Sequence, residues 1–256
     1  MAALDVVTLD IPAEARDPLI QGLDLSMFSK ADLLNMLLQR SEVLYDVPRY
    51  GQVIKAWGAG DSAPIEAQID RLGDEIARRV AGVLHAEYRA LRPALKDLTP
   101  GRLADIGCGY AIWDLFAFRD LDCDIVLIDI ETNAHRHFGY AEEGAAYTDL
   151  ATARAFLQAN GVAEDRITTL NPERDDLATG AGRIDLAVSF VSCGFHYPVA
   201  TYLPFFRDQV APDGAVLVDL RARRSDEQVW DLTALGRIEV LAGHPKARRV
   251  LLRKTG

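Results

Sequence analysis

Leu103-Ala-Asp-Ile-Gly-Cys-Gly-Tyr-Ala-Ile-Trp113 is the stretch whose reading decides the fold of this chain. A short apolar run ending in Asp105 is followed at once by Gly107 and Gly109, and then by residues able to open a helix. The order is strand, glycine turn, helix. Glycine at 107 and 109 admits backbone geometry closed to other residues and removes side chains that would keep a ligand from the peptide groups. The helix N-terminus that follows offers unpaired N–H groups and positive partial charge. A second apolar run, Asp124 to Ile130, carries Asp129, 22 residues past Gly107. In a βαβ unit that carboxylate lies beside the glycine turn, where it can accept hydrogen bonds from ribose hydroxyls.

Two cofactor classes use this arrangement. The dinucleotide fingerprint places a third glycine or alanine three positions after the second, and here that position is Ile112. The chain instead reads Asp105-Ile-Gly107-Cys-Gly109-Tyr-Ala111. This resembles the first motif of the class I S-adenosylmethionine (SAM)-dependent methyltransferases, D/E-x-G-x-G-x-G, with Ala111 in place of the third glycine.

Beyond the motif, strands and helices alternate. Strands are expected at Ile167–Asn171, Ile184–Val191 and Ala215–Leu220, the last after the turn Pro212-Asp-Gly214, and helices at Thr148–Asn160 and Tyr202–Val210. Two runs close the chain, Arg237–Leu241 and Arg248–Leu252, separated by Gly243-His-Pro245; joined by a short turn, they must pair antiparallel. The expected fold is α/β: a Rossmann-like, mostly parallel sheet with an antiparallel C-terminal hairpin. The resemblance covers roughly residues 99–254 and implies that same sheet.

Residues 1–98 lack this alternation and are expected to form a helical cap, with 99–256 as the SAM-binding α/β domain. The cap should hold a short strand at Val6–Leu9, a helix from Lys30 capped by Ser29, and a long helix from Ser62-Ala-Pro64 towards Leu91 that ends or kinks at Pro93. In the resembled family such helices cover the SAM cleft and build the substrate pocket, which makes Tyr50 and Trp57, with Tyr45, candidate substrate contacts.

The 256 residues carry 38 acidic against 28 basic side chains, a net charge of −10, which argues against nucleic acid as a partner. Hydrophobic residues at 49% suit a globular domain. No window reaches the ~18 uninterrupted apolar residues of a membrane span, and the N-terminus lacks the basic and apolar regions of a signal peptide, so a cytoplasmic protein is expected. Three cysteines without a C-x-x-C pair indicate neither a disulfide framework nor a zinc site. His135 and His137 form a lone H-x-H, and no metal is expected. The arginines at 221, 223 and 224 read as solvated surface. A homodimer is left open.

The resemblance implies that SAM's methionine part faces Asp105 and the turn Gly107, Cys108, Gly109, Tyr110; that Asp129 holds the ribose; and that Ile130 lies against the adenine, with Asn171 at its amino group. After the fourth strand, Ser189-Phe190-Val-Ser-Cys-Gly194-Phe-His196-Tyr197-Pro198 sets small polar groups, an imidazole and a phenol beside the place implied for the methyl. His196, with an ordinary pKa near 6.5, is the candidate base, and Tyr197 would orient the acceptor. The expected activity is methyl transfer from SAM, leaving S-adenosylhomocysteine, to a hydroxyl or amino group of a small molecule, with the hydroxyl first. The alternatives are a SAM-fold protein without activity that serves as a binding or regulatory partner, and a nicotinamide-dependent oxidoreductase.

Overall fold

The computed structural model describes residues 9–131, 148–244 and 246–255. Seven strands form one sheet in the order β3-β2-β1-β4-β5-β7-β6. They are β1 (Arg102–Ile106), β2 (Asp124–Ile128), β3 (Ile167–Leu170), β4 (Ile184–Ser189), β5 (Val210–Arg221), β6 (Gly236–His244) and β7 (Ala247–Lys254). The first five run parallel; β7 enters antiparallel between β5 and β6. The expected α/β sheet with its antiparallel terminal hairpin is the one observed.

Both faces of the sheet are covered, which is why its central strands read as unbroken apolar runs. Leu103, Leu127, Leu186 and Leu217 face one side, against α7 (Ile112–Leu121), α8 (Leu150–Ala159) and the N-terminal helices. Ala104, Ile128, Ala187 and Val218 face the other, against α9 (Leu177–Gly180), α10 (Leu203–Asp208) and α11 (Ser225–Thr233). The N-terminal helices are α1 (Ile11–Ala15), α2 (Pro18–Gln21), α3 (Lys30–Gln39), α4 (Gly51–Gly58), α5 (Ala63–Leu72) and α6 (Glu75–Leu91). Their buried residues, among them Leu37, Ile65 and Val83, share one hydrophobic cluster with the sheet.

Several expectations need correction. The helix expected from Ser62 to Leu91 is two helices, because Gly73 takes φ +51° and breaks the chain between Leu72 and Glu75. Residues 6–8 of the expected N-terminal strand lie outside the described residues, while Pro12 sits in the first turn of α1, where its fixed φ is an advantage. The fifth strand starts at Val210, so Pro212-Asp-Gly214 lies within it, at a register shift against β4. There a β carbon on Gly214 would come within 2.8 Å of the Asp185 carbonyl. α11 was not expected at all: Ser-Asp-Glu-Gln-Val-Trp-Asp-Leu-Thr carries few apolar residues to mark a buried face. As expected, α6 ends just before Pro93, which sits in a 3₁₀ turn, Arg92–Leu95. Among the described residues no helix is long and apolar enough to cross a membrane.

Candidate functional site

β1 is the strand at which the sheet order reverses, with β2 on one side and β4 on the other. Open α/β sheets bind ligands in the crevice outside the carboxyl ends of the strands at that point. The glycine turn leaves β1 there. Gly107 (φ +78°) donates its N–H to the Ile128 carbonyl at 2.7 Å, and Gly109 (φ +58°) donates its N–H to Asp129 Oδ2 at 3.1 Å. Ala111, the departure from the motif, also holds a left-handed conformation, φ +57°, and caps α7. A methyl group there costs of order 1 kcal/mol that a glycine would not.

Asp129 is the centre of the turn's far wall. Besides Gly109 it accepts the N–H of Glu131 at 3.2 Å and the hydroxyl of the buried Thr148 at 3.1 Å. Burial, opposed by these donors, pushes its carboxyl up. Glu131 (φ +60°) joins three elements: it accepts from the Leu150 N–H at 3.2 Å and the Asn171 amide at 2.8 Å, and pairs with Arg174 at 2.6 Å. Asn171 is buried, and its side chain also reaches the Ile130 carbonyl at 3.3 Å, fixing the loop after β2 to the loop after β3. Ile130 is half-buried between them.

Beneath the turn lies a second acidic feature. Asp105 of β1 faces Asp114 of α7, and both are buried. Burial, reinforced by Asp114 and Asp129, raises the Asp105 carboxyl well above its ordinary value; burial also raises Asp114. Two buried carboxyls in such a place favour the protonated, uncharged form. Asp105 Oδ1 has no hydrogen-bond partner among the described residues. Cys108 is buried, and burial with the carboxylates of Asp129, Asp105 and Asp114 pushes its thiol up, which keeps it protonated.

The loop after β4 closes over the turn. Ser189, fully buried, donates its hydroxyl to the Ile106 carbonyl at 2.7 Å and accepts the Cys193 N–H at 2.9 Å, locking β4 to the end of β1. Ser192 rests on Gly107, and its hydroxyl lies 3.0 Å from the Tyr197 hydroxyl. Burial pushes the Tyr197 phenol up, so it stays a neutral hydrogen-bonding group. Gly194 (φ +86°) lets the loop pack on β5, since a β carbon there would come within 2.7 Å of Leu220. His196, half-buried, lines a cleft with Tyr197, Arg221 and Arg224. Phe190 packs against Trp113, ring centroids 4.7 Å apart, under the Arg249 guanidinium at 4.8 Å.

The structure therefore brings Asp105, Gly107, Cys108, Gly109, Asp129, Ser189, Phe190 and Tyr197 around one turn. Tyr110 belongs to that turn by backbone alone. Its buried hydroxyl donates to Asp32 at 2.8 Å and accepts from Asn35 at 3.1 Å, so its side chain pins the turn to α3. Tyr50 and Trp57, half-buried on and before α4, pack at the margin of the core shared by the helices and the sheet. His135 and His137 lie outside the described residues. Sequence reasoning took in Ser192 only as one of the small polar groups after the fourth strand, and missed Asp114, Glu131 and Thr148. Glu131 follows directly on the apolar run that carries Asp129, but its left-handed φ and its contacts to Leu150, Asn171 and Arg174 leave no mark in the sequence. The others come together only through folding.

No family model matches this chain, and no curated protein matches it. It is similar to solved structures of low identity. One is a putative O-methyltransferase from Nostoc punctiforme PCC 73102, 12% identical, TM-score 0.49, over 70% of this chain; the chain spans only 59% of that protein's length. Another is a putative S-adenosyl-L-methionine-dependent methyltransferase from Methanococcus maripaludis, 16% identical, TM-score 0.49, covering 69% of this chain and 90% of that one. A third is the O-methyltransferase TomG from Streptomyces achromogenes, involved in tomaymycin synthesis and solved with SAM, 14% identical, TM-score 0.47, covering 67% and 80%.

Proposed function

We propose that this chain, whose sheet has the class I SAM-dependent methyltransferase fold, is a methyltransferase that uses SAM to methylate a small molecule on a hydroxyl, or failing that an amino, group. The observation that carries the reading is the cluster of carboxyl acceptors at the glycine turn. Asp105, Asp114, Asp129 and Glu131 gather around it, and Gly109 donates directly to one of them. Acceptor oxygens gathered there suit the hydroxyl and α-ammonium donors of SAM and are poorly matched to a diphosphate, which is itself only an acceptor. That favours SAM over a nicotinamide dinucleotide. Room is available too, because a β carbon at Gly109 would meet nothing nearer than the Thr148 methyl at 3.9 Å.

The residues fit the cofactor. Asp129 and Glu131 supply acceptors for ribose hydroxyls, Asp105 an unpaired buried oxygen, and residues 107–110 the backbone edge, with Ile130 on the adenine side. Asn171 and Ser189 act through the loops they fix, and Phe190 through the apolar wall it forms with Trp113. When bound, SAM supplies a methyl group already activated for transfer. What remains for the protein is to orient the acceptor, exclude water and take its proton. His196 is the group for that proton and Tyr197 the neutral hydrogen-bonding partner that aims the acceptor; Tyr50 and Trp57 wall its apolar part. The partner on this reading is a metabolite, and neither nucleic acid nor a membrane.

Calorimetric titration with SAM, S-adenosylhomocysteine and NAD tests this. Binding of the first two at roughly micromolar Kd and none of NAD is the expected result. Binding of NAD alone, or of none of the three, overturns it.

A further inference from the structure

The sheet ends on β6, which among the described residues pairs with β7 alone. Its outer side presents backbone N–H and C=O groups to a further strand. Exposed apolar side chains collect at the same end of the molecule. Val240 of β6 is 58% exposed, and Trp230 is 78% exposed on α11, the helix that packs beside β6; Leu19 and Tyr45, on other elements, are 38% and 39% exposed.

The sequence of this edge decides what fits it. From Gly236 to Val240 the strand pairs with β7 without interruption, and the register shifts only between Val240 and Ala242. Ile238 is the centre of that regular stretch. Two copies of β6 laid antiparallel about a two-fold axis at Ile238 set Arg237 of each opposite Glu239 of the other, so the charges pair twice. An axis one residue later would set Glu239 against itself. Arg237 and Glu239 are both exposed, and on its inner side Arg237 stands opposite Arg253 of β7. Like charges directly across a ladder repel and opposite ones attract, so a carboxylate on the outer side relieves what β7 leaves unfavourable. On the other face of the strand, Ile238 packs at the margin of the core beneath α11. The same axis sets Ile238 against its own copy and Val240 opposite Gly236, where no side chain stands in its way. It also places α11, with Trp230, of both copies on one face of the joined sheet.

We infer that the outer side of β6 is the interface at which two copies of this chain join into one continuous antiparallel sheet, centred on Ile238 and held in register by two Arg237–Glu239 pairs. Backbone hydrogen bonds and the apolar side chains supply affinity, and the charge pairs select this register over its neighbours. β4, β5 and β7 lie between the seam and β1, so the interface stands apart from the glycine turn and does not rest on the methyltransferase reading.

The test is sedimentation equilibrium of the full chain for wild type, Arg237→Glu, Glu239→Arg and the double variant carrying both changes. Each single reversal lines the seam with charges of one sign, whereas the double variant restores opposite pairs in the same register. Both positions are exposed, so the fold should tolerate the changes, which circular dichroism checks. A monomer–dimer equilibrium with roughly micromolar Kd is expected for wild type, weakened at least ~10-fold by either single reversal and recovered to within about threefold by the double variant. A wild-type chain that stays monomeric up to about 200 µM overturns the inference and leaves the edge to an extended segment of a different protein. A dimer indifferent to the single reversals, or one that the double variant fails to recover, overturns it as well. Hydrogen exchange on the wild type needs no variant: the amides of residues 236–241 should exchange more slowly at dimeric than at monomeric concentrations, and equal rates would place any dimer elsewhere.

Discussion

Ser192 lies on Gly107 so closely that a β carbon at 107 would come within 2.1 Å of its hydroxyl oxygen. At Gly109, two positions on, the same carbon would meet only the Thr148 methyl at 3.9 Å. The two glycines therefore do different work. The first lets the β4 loop close down; the second leaves space for a ligand.

Substitution should tell them apart. Gly107→Ala must push Ser192 and with it Tyr197 away, and should lower both stability, by about 1–3 kcal/mol, and cofactor affinity. Gly109→Ala meets no clash and should lose only the ~1–2 kcal/mol of left-handed strain, with a larger effect on S-adenosylhomocysteine affinity than on the urea midpoint. Equal profiles for the two variants in paired melts and titrations would contradict this division.

Asp129 both braces the turn, through Gly109, and offers the ribose acceptor. Asp129→Ala should reduce S-adenosylhomocysteine affinity at least ~10-fold. Unchanged affinity in calorimetry would remove the site as assigned. By contrast His196→Ala should leave that affinity intact and slow only turnover, once an acceptor has been found.

Stability should pass through a maximum in mild acid. Burial alone would raise the Glu87 carboxyl, but Arg40, paired with it at 2.8 Å, outweighs burial and holds it at about 2. A depressed pKa stabilises the fold above the unfolded value near 4.5, and that contribution, roughly 3 kcal/mol, is lost as pH falls towards about 2. Asp105 and Asp114 act in the opposite sense. Their pKa values are raised, so their contribution is whole below the ordinary value of 3.8 and is lost as pH rises through the folded values. Asp114→Asn should therefore raise the urea midpoint at about pH 8 while changing it little at about pH 4. A wild-type midpoint that climbs steadily into alkali would sink this account.

Arg249 and Asp219 form a fully buried bidentate pair, at 2.6 and 2.7 Å, between β5 and β7. Removing one partner strands a charge in the core, so Asp219→Ala should cost about 3–5 kcal/mol, whereas Asp219→Leu combined with Arg249→Met should recover most of it. Chemical denaturation of the two variants beside the wild type measures this directly.

Local sequence was enough for the sheet. Apolar runs of strand length, a glycine pair between strand and helix, and a terminal pair of runs with only a short turn between them leave one sensible architecture, because backbone hydrogen bonding and burial of those runs have few joint solutions. The same locality made Gly107, Gly109 and Asp129 legible, since their spacing is fixed by one βαβ unit. The long helix from Ser62 misled because apolar spacing continues across Gly73, and periodicity carries no mark of a backbone break. α11 was missed because its short amphipathic run has little to bury.

What only the tertiary structure decided are the relations between distant segments. That Ser192 sits on Gly107, that Tyr110 turns to α3 instead of the cleft, that Asp105 faces Asp114, and that arginines read as solvated surface line a cleft with His196 all depend on which strand ends meet at one edge of the sheet. A side chain's neighbours there come from β1, β2, β4 and β5 together, and electrostatics and packing act through space, so the set of acceptors that distinguishes one ligand from another emerges only when those ends converge.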